Sequence, residues 1–410
     1  MPFAALVALL PACGGDDGGT PTLTWYYNPD NGGVAEVARQ CTEAAGGAYR
    51  IETSVLPNDA TNQREQLVRR LAAEDDSIDL MSLDVVFVPE FANAGFLRPF
   101  TDDEAEELTE GILEAPIESA TFDDVLYAAP FHANTQLLWY RRSVAERAGL
   151  DLDDGPVTWA QIVEAARETD TTVAVQANRY EGYMVWINAL VLSGGGEILD
   201  DPEAGRDVSL TLDSDAGRAA AEVIRSVAGV APPDLDTATE EPSRTAFLAD
   251  DGGFLVNWPY TLGASEGSDA HDDIGWARYP EVVEGEPSAP PLGGIHIGVG
   301  AFSRHPDLAV EATRCITSVE GQTTYMTITG NPAAAAAVYD DPEVQEQFPM
   351  ADLIRESIDD AGPRPLSPFY NDISTATVDV FHPAHDVDPA RTPGRAADRV
   401  ARGLANVDRL

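Results

Sequence analysis

The sequence predicts an α/β protein made of two sheet-and-helix units joined by extended stretches. Three observations lead there. The chain has 410 residues, 44% of them hydrophobic, enough for packed cores in two or three domains of about 100–200 residues each. Residues 22–88 alternate strand and helix patterns, the signature of a parallel sheet covered by helices. Beyond residue 126, short apolar runs recur between amphipathic segments.

In order, Thr22-Leu-Thr-Trp-Tyr-Tyr27 has strand composition, and the Asn/Gly/Asp cluster at 28–33 turns the chain. Val34, Val37 and Ala38 then share a helix face, with Cys41 a turn later. Alternation over 49–55 predicts a strand, 62–73 a helix with Leu67, Val68 and Leu71 inward, and 79–88 a buried strand running into a loop. Strands follow at 126–130, 137–140 and 172–176, with a helix over 158–169 opened by Thr158. An apolar helix over 182–192 is stopped by Gly194-Gly-Gly196. Residues 216–227 and 243–249 read as amphipathic helices, and 254–258 and 294–300 as strands. Helices over 306–319, 333–337 and 349–358 close the pattern.

Acidic residues number 70 against 25 basic ones, a formal charge of −45, and every basic residue is arginine. That balance argues against nucleic acid, whose binding needs cations on phosphates. Residues 1–10 are apolar, and Leu10-Pro-Ala-Cys13 precedes a Gly/Asp-rich tether. The run is too short to span a bilayer and has the form of an export signal, although no Arg or Lys precedes it. Leu-x-Ala-Cys resembles a bacterial lipobox, which predicts a signal and tether over 1–21, lipid on Cys13, and a body held at the outer face of the membrane. An oxidising compartment favours pairing of the remaining cysteines, Cys41 and Cys315; spacing alone leaves their proximity open.

Catalytic patterns are weak. Gly263-Ala-Ser265-Glu-Gly267 matches G-x-S-x-G, but the polar stretch after it lacks the helix that a nucleophile elbow requires. His382 and His385 flank Pro383, which spoils a helical ligand face, so no metal is expected. Carboxylates are too abundant for any one pair to indicate glycoside hydrolysis. By contrast, Asn257-Trp258-Pro259-Tyr260 sets two rings beside an amide, as a site that stacks and hydrogen-bonds a sugar would need.

Several strings resemble the extracellular solute-binding family of carbohydrate ABC importers: the runs over 79–84 and 90–100, Leu126-Tyr-Ala-Ala-Pro130, Leu138-Trp-Tyr-Arg-Arg142, Thr158-Trp159 and Ala246-Phe-Leu248. Leu83-Asp-Val-Val86, Asn134-Thr-Gln-Leu-Leu-Trp-Tyr140, Ala174-Val-Gln-Ala-Asn178, Glu240-Glu241, Val256-Asn-Trp-Pro259 and Arg364-Pro365 are most similar to its trehalose-binding lipoproteins. The resemblance implies a Venus-flytrap fold, each lobe a mostly parallel sheet flanked by helices, the lobes joined by hinge crossovers. Lobe 1 would comprise 22–131 plus 286–331, and lobe 2 would comprise 132–285 plus 332–410. It also implies a monomer without catalysis or cofactor that gives a small neutral disaccharide, trehalose first, to permease subunits. Another α-glucoside within the family is the alternative, and a secreted hydrolase or esterase a more distant one. The implied sugar contacts are Asn31, Asp84, Asn134, Glu240 or Glu241, Asn257, Trp258, Tyr260, Gly294 and Arg364. A Cys41–Cys315 disulfide is implied as well, because both helices would share lobe 1.

Overall fold

A computed structural model describes residues 19–152 and 155–405; the apolar leader and Cys13 lie outside them. Nine strands matter here: β1 Thr22–Tyr27, β2 Arg50–Val55, β3 Leu80–Asp84, β4 Ala128–Asn134, β5 Leu137–Arg141, β6 Thr172–Ala174, β7 Gly252–Asn257, β8 Ile274–Ala277 and β9 Gly293–Val299. They form two sheets, ordered β2-β1-β3-β9-β4 and β8-β5-β7-β6. Each sheet is packed with helices, giving two lobes.

The expectation of mostly parallel sheets needs correcting. In the first, β2, β1 and β3 run parallel, but β9 is antiparallel to both β3 and β4. In the second, only the β7–β6 pairing is parallel. The reason lies in the connections. A parallel neighbour needs a long crossover, and the initial strand–helix–strand run supplies one. The chain then passes directly from β4 in one sheet to β5 in the other, and β9 returns from the second lobe. Strands entering a sheet across the hinge add antiparallel.

Local chemistry sets most boundaries. Asp59 caps the helix Ala60–Leu71 by accepting from Asn62 N, and Thr158 with Gln161 forms a capping box on Trp159–Thr169. The strand expected over 79–88 ends at Asp84, whose side chain accepts from Val86 N and turns the chain into a short helical stretch. The helix expected over 306–319 ends at Ile316, and Ser318 caps a second helix, Val319–Thr329, that follows it. Helices Tyr370–Phe381 and Thr392–Leu404 have no counterpart in the sequence reading.

The helix Glu181–Ser193 is buried on nearly every residue, which is why its pattern is apolar all round and not striped. Trp186 and Tyr279 close on Trp159 at 5.7 and 5.8 Å between ring centroids. Beneath the first sheet, Leu23, Trp25, Val34, Val37, Val310 and Ile316 form a separate core. Cys41 and Cys315 meet there in a disulfide, their Cα atoms 5.7 Å apart, as the resemblance implied.

Two buried histidines sit where β4 meets β9. His132 stacks on Tyr325 at 5.1 Å, and His296 Nε2 lies 2.8 Å from Ser119 Oγ. Burial pushes both pKa values down to about 3, so both are neutral when folded, whereas in the unfolded chain they titrate near 6.5. Their stability contribution is therefore complete above about pH 6.5 and is lost as pH falls towards 3. Between pH 6.5 and 5 the expected loss is about 2 kcal/mol per histidine. Urea unfolding should show the decline, with a shallower pH slope in His296→Asn.

Candidate functional site

The carboxyl ends of strands in an open α/β sheet are where ligands collect, and Asp84 ends β3. A cavity of about 270 Å3 lies there, between the two sheets. Asp84, Asn134 and Gly293–Gly294 line it from the first sheet, and Tyr180, Glu181, Glu240 and Trp258 line it from the second-sheet side. Arg364 closes the floor.

Six of the implied contacts share this wall: Asp84, Asn134, Glu240, Trp258, Gly294 and Arg364. Four do not. Asn31 is exposed in the turn before the helix Gly33–Ala44; its neighbour Asp30 is engaged with Gly32 N and Val34 N. Glu241 lies on the outer face of its helix, paired with Arg244 at 2.7 Å and 60% exposed. Asn257 is fully buried and acts as scaffold: its amide donates to Glu240 O at 3.0 Å and its carbonyl accepts from Trp258 N at 2.8 Å. Tyr260 sits in the turn after Trp258, outside the cavity wall. Helix phase puts Glu240 and not Glu241 on the cavity wall, since adjacent helical residues point about 100° apart.

The cavity's strongest feature is a chain of charge. Arg364 is 2% exposed and spans two carboxylates, with Nη1 at 2.6 Å from Glu181 Oε1 and Nη2 at 2.9 Å from Asp84 Oδ1. Glu181 also accepts from the Tyr370 hydroxyl and from Ser374 Oγ. Burial raises the Glu181 pKa, an effect that Arg364 and Tyr370 oppose. Burial alone would lower the Arg364 pKa; Asp84, Tyr370 and Glu181 outweigh it and keep the guanidinium charged. Asp84 Oδ2 has no partner among the described residues, so Asp84 and the unused N–H groups of Arg364 can together bridge neighbouring hydroxyls. Burial also raises the Glu240 pKa.

Trp258 supplies the apolar wall. It follows β7 yet reaches the first sheet, where a Cβ on Gly293 would stand 2.9 Å from the ring. Gly293 is glycine to admit that ring. Gly294 is glycine for a backbone reason: its φ is +127°, and a Cβ would lie 2.2 Å from His132 O. An aromatic face opposite fixed carboxylates and a guanidinium can stack the CH face of a pyranose while pairing its hydroxyls. Removing the ring in Trp258→Ala is expected to weaken sugar binding at least tenfold with the melting temperature little changed, measurable by calorimetry and thermal unfolding.

Sequence reasoning missed Asn58, Asp59, Tyr180, Glu181, Val185 and Gly293. One signal was available for Glu181: a carboxylate opening a wholly apolar helix requires a buried partner. The alternative chemistries find no support in the geometry. Ser265 lies in a short helical turn and donates to Thr261 O at 2.6 Å, with no strand-to-helix elbow. His382 and His385 both contact Asp236, outside the cavity.

Residues 37–323 match the model of the family described as bacterial extracellular solute-binding protein. The chain belongs to that family. A probable ABC transporter-binding protein of Deinococcus radiodurans is 26% identical over 345 residues, 78% of each chain. The diacetylchitobiose binding protein DasA of Streptomyces coelicolor is 23% identical over 331 residues, 75% of each chain. The solved structure of maltose-bound MalE3 from T. maritima superposes with a TM-score of 0.80 at 26% identity, over 94% of this chain and 99% of that one. This chain is thus an extracellular solute-binding protein, and the relatives it matches are binding proteins.

Proposed function

We propose that this solute-binding protein clamps a small neutral disaccharide, trehalose first, and passes it unaltered to its permease. The observation that carries the reading is the single cavity in which Asp84, Trp258, Glu181 and Arg364 face one another across the two sheets. We assign 22–131 plus 286–331 to one lobe and 132–285 plus 332–410 to the other, with Asp84, Asn134, Glu240, Trp258, Gly294 and Arg364 as sugar contacts. Ligand bonds to both lobes favour the closed state by differential affinity. Buried hydroxyls left unpaired penalise a wrong epimer, which gives the site its selectivity. The wall speaks against an anionic ligand: Asp59, Asp84, Glu181 and Glu240 line it against Arg364 alone, a balance that repels anionic sugars. The same reading tethers a monomer to the outer face of the membrane through lipid on Cys13.

Titration calorimetry with trehalose, maltose, diacetylchitobiose and trehalose 6-phosphate tests the ligand. Heat with trehalose and none with the phosphate is expected. Binding of maltose alone favours the alternative α-glucoside reading, for which the maltose-bound relative speaks. No heat with any sugar removes the substrate claim.

A further inference from the structure

We propose that Glu181 is a positioning residue for the sugar site: it holds Arg364 in the cleft, while Asp84 is the partner Arg364 gains and loses as the lobes close and open. The inference rests on the sugar-binding reading above and deepens it, giving a role to a side chain outside the set of implied sugar contacts.

The two carboxylates on Arg364 sit on different sides of the cleft. Asp84 ends β3 of the first sheet and its Oδ1 also accepts from Val86 N at 3.2 Å. Glu181 opens the helix Glu181–Ser193, and Asn188 Nδ2 of that helix donates to Pro363 O at 3.1 Å, next to Arg364. Two residues before Arg364, Gly362 bonds to Pro290 O and Leu292 N where the chain crosses into β9, so Arg364 stands beside the hinge. Tyr370 and Ser374, the other partners of Glu181, lie on the helix Tyr370–Phe381, which packs on Glu181–Ser193. The bond from Arg364 to Glu181 is therefore internal to one side, and the bond to Asp84 crosses the cleft. A hinge motion breaks the second and preserves the first.

Three acceptor positions of Glu181 are already taken within the protein, so its effect on the sugar runs mainly through Arg364. A carboxylate offers about four acceptor positions; Oε1 takes Arg364 and the Tyr370 hydroxyl, and Oε2 takes Ser374. Arg364 keeps capacity to spare: its Nε is buried without a partner, and each terminal nitrogen makes one ion pair. Fixing a long side chain before the ligand arrives removes an ordering cost from binding. An unanchored Arg364 would have to be ordered by the sugar itself.

The test is a double-mutant cycle read by calorimetry with trehalose, or with whichever disaccharide binds the wild type, together with 15N NMR of the arginine side chains without ligand. Glu181→Gln is expected to weaken binding at least tenfold. In an Arg364→Ala background the same change should cost less than twofold, because the residue it positions is gone. In the ligand-free protein, the slowly exchanging Arg364 Nε–H resonance should move to the position of exposed arginines in Glu181→Gln and persist in Asp84→Asn. Wild-type affinity in Glu181→Gln, or an undiminished tenfold loss in the Arg364→Ala background, overturns the inference. So does an Arg364 resonance unmoved by Glu181→Gln. Should no disaccharide bind even the wild type, the substrate reading fails and the NMR comparison alone decides this one. Tyr370→Phe and Ser374→Ala carry the same readouts at smaller amplitude if Glu181→Gln does not fold.

Discussion

Arg364→Ala is expected to abolish high-affinity sugar binding and to destabilise the fold at the same time. The side chain is 2% exposed and neutralises two carboxylates, one of them the buried Glu181. Removing one partner of a buried ion pair leaves the other charge without compensation, at a cost of about 3–5 kcal/mol. Affinity should fall at least tenfold, since the fork proposed to pair with sugar hydroxyls is gone. The two effects separate in the double variant Arg364→Ala with Glu181→Gln. Deleting the orphaned charge restores much of the melting temperature, while the affinity stays lost. Thermal unfolding and calorimetry on the same samples provide both numbers. A single variant with wild-type stability would mean that Glu181 is not the buried partner described here.

Loss of the Cys41–Cys315 bridge should have an effect of comparable size on stability and little on binding. The disulfide closes a sequence separation of 274 residues, so reduction frees the larger part of the 410-residue unfolded chain. In the chain-entropy account a loop of this length contributes about 5 kcal/mol. Cys41 is 1% exposed within the core under the first sheet, whereas the cavity lies at the carboxyl end of β3. Cys41→Ser with Cys315→Ser is accordingly expected to unfold at markedly lower urea, with sugar affinity within twofold of wild type at moderate temperature. An unchanged urea midpoint would remove the bridge from the stability account.

How far the sequence alone reached depends on what each feature encodes. The strand and helix order of the first ninety or so residues was legible because apolar periodicity and turn residues are local signals. Strand direction was not, because β4, β5 and β9 take their sense from passage between lobes. The helix Thr392–Leu404 was there to be read, with buried Ala396, Val400 and Leu404 recurring every four residues. Tyr370–Phe381 was harder: Ile373, Thr375, Thr377 and Val378 are poor helix formers, and packing against Glu181–Ser193 overrides them. In the site, Asp84, Trp258 and Arg364 sit in strings with a recognisable family likeness. Tyr180 and Asp59 reach the cavity only through tertiary folding, and nothing adjacent in sequence marks them. Tyr260 and Asn257, expected beside Trp258 in the site, do not line the cavity, because a strand end and the turn after it expose only some of their side chains.

In the proposed function, two α/β lobes close on a neutral sugar between an aromatic wall and fixed hydroxyl partners. A crystal structure of the protein grown with trehalose tests it most directly. The expected result is a sugar in the cavity, one ring against Trp258 and hydroxyls within hydrogen-bond distance of Asp84 and Arg364. A sugar bound elsewhere, or a well-ordered cavity holding only water at saturating trehalose, would contradict it.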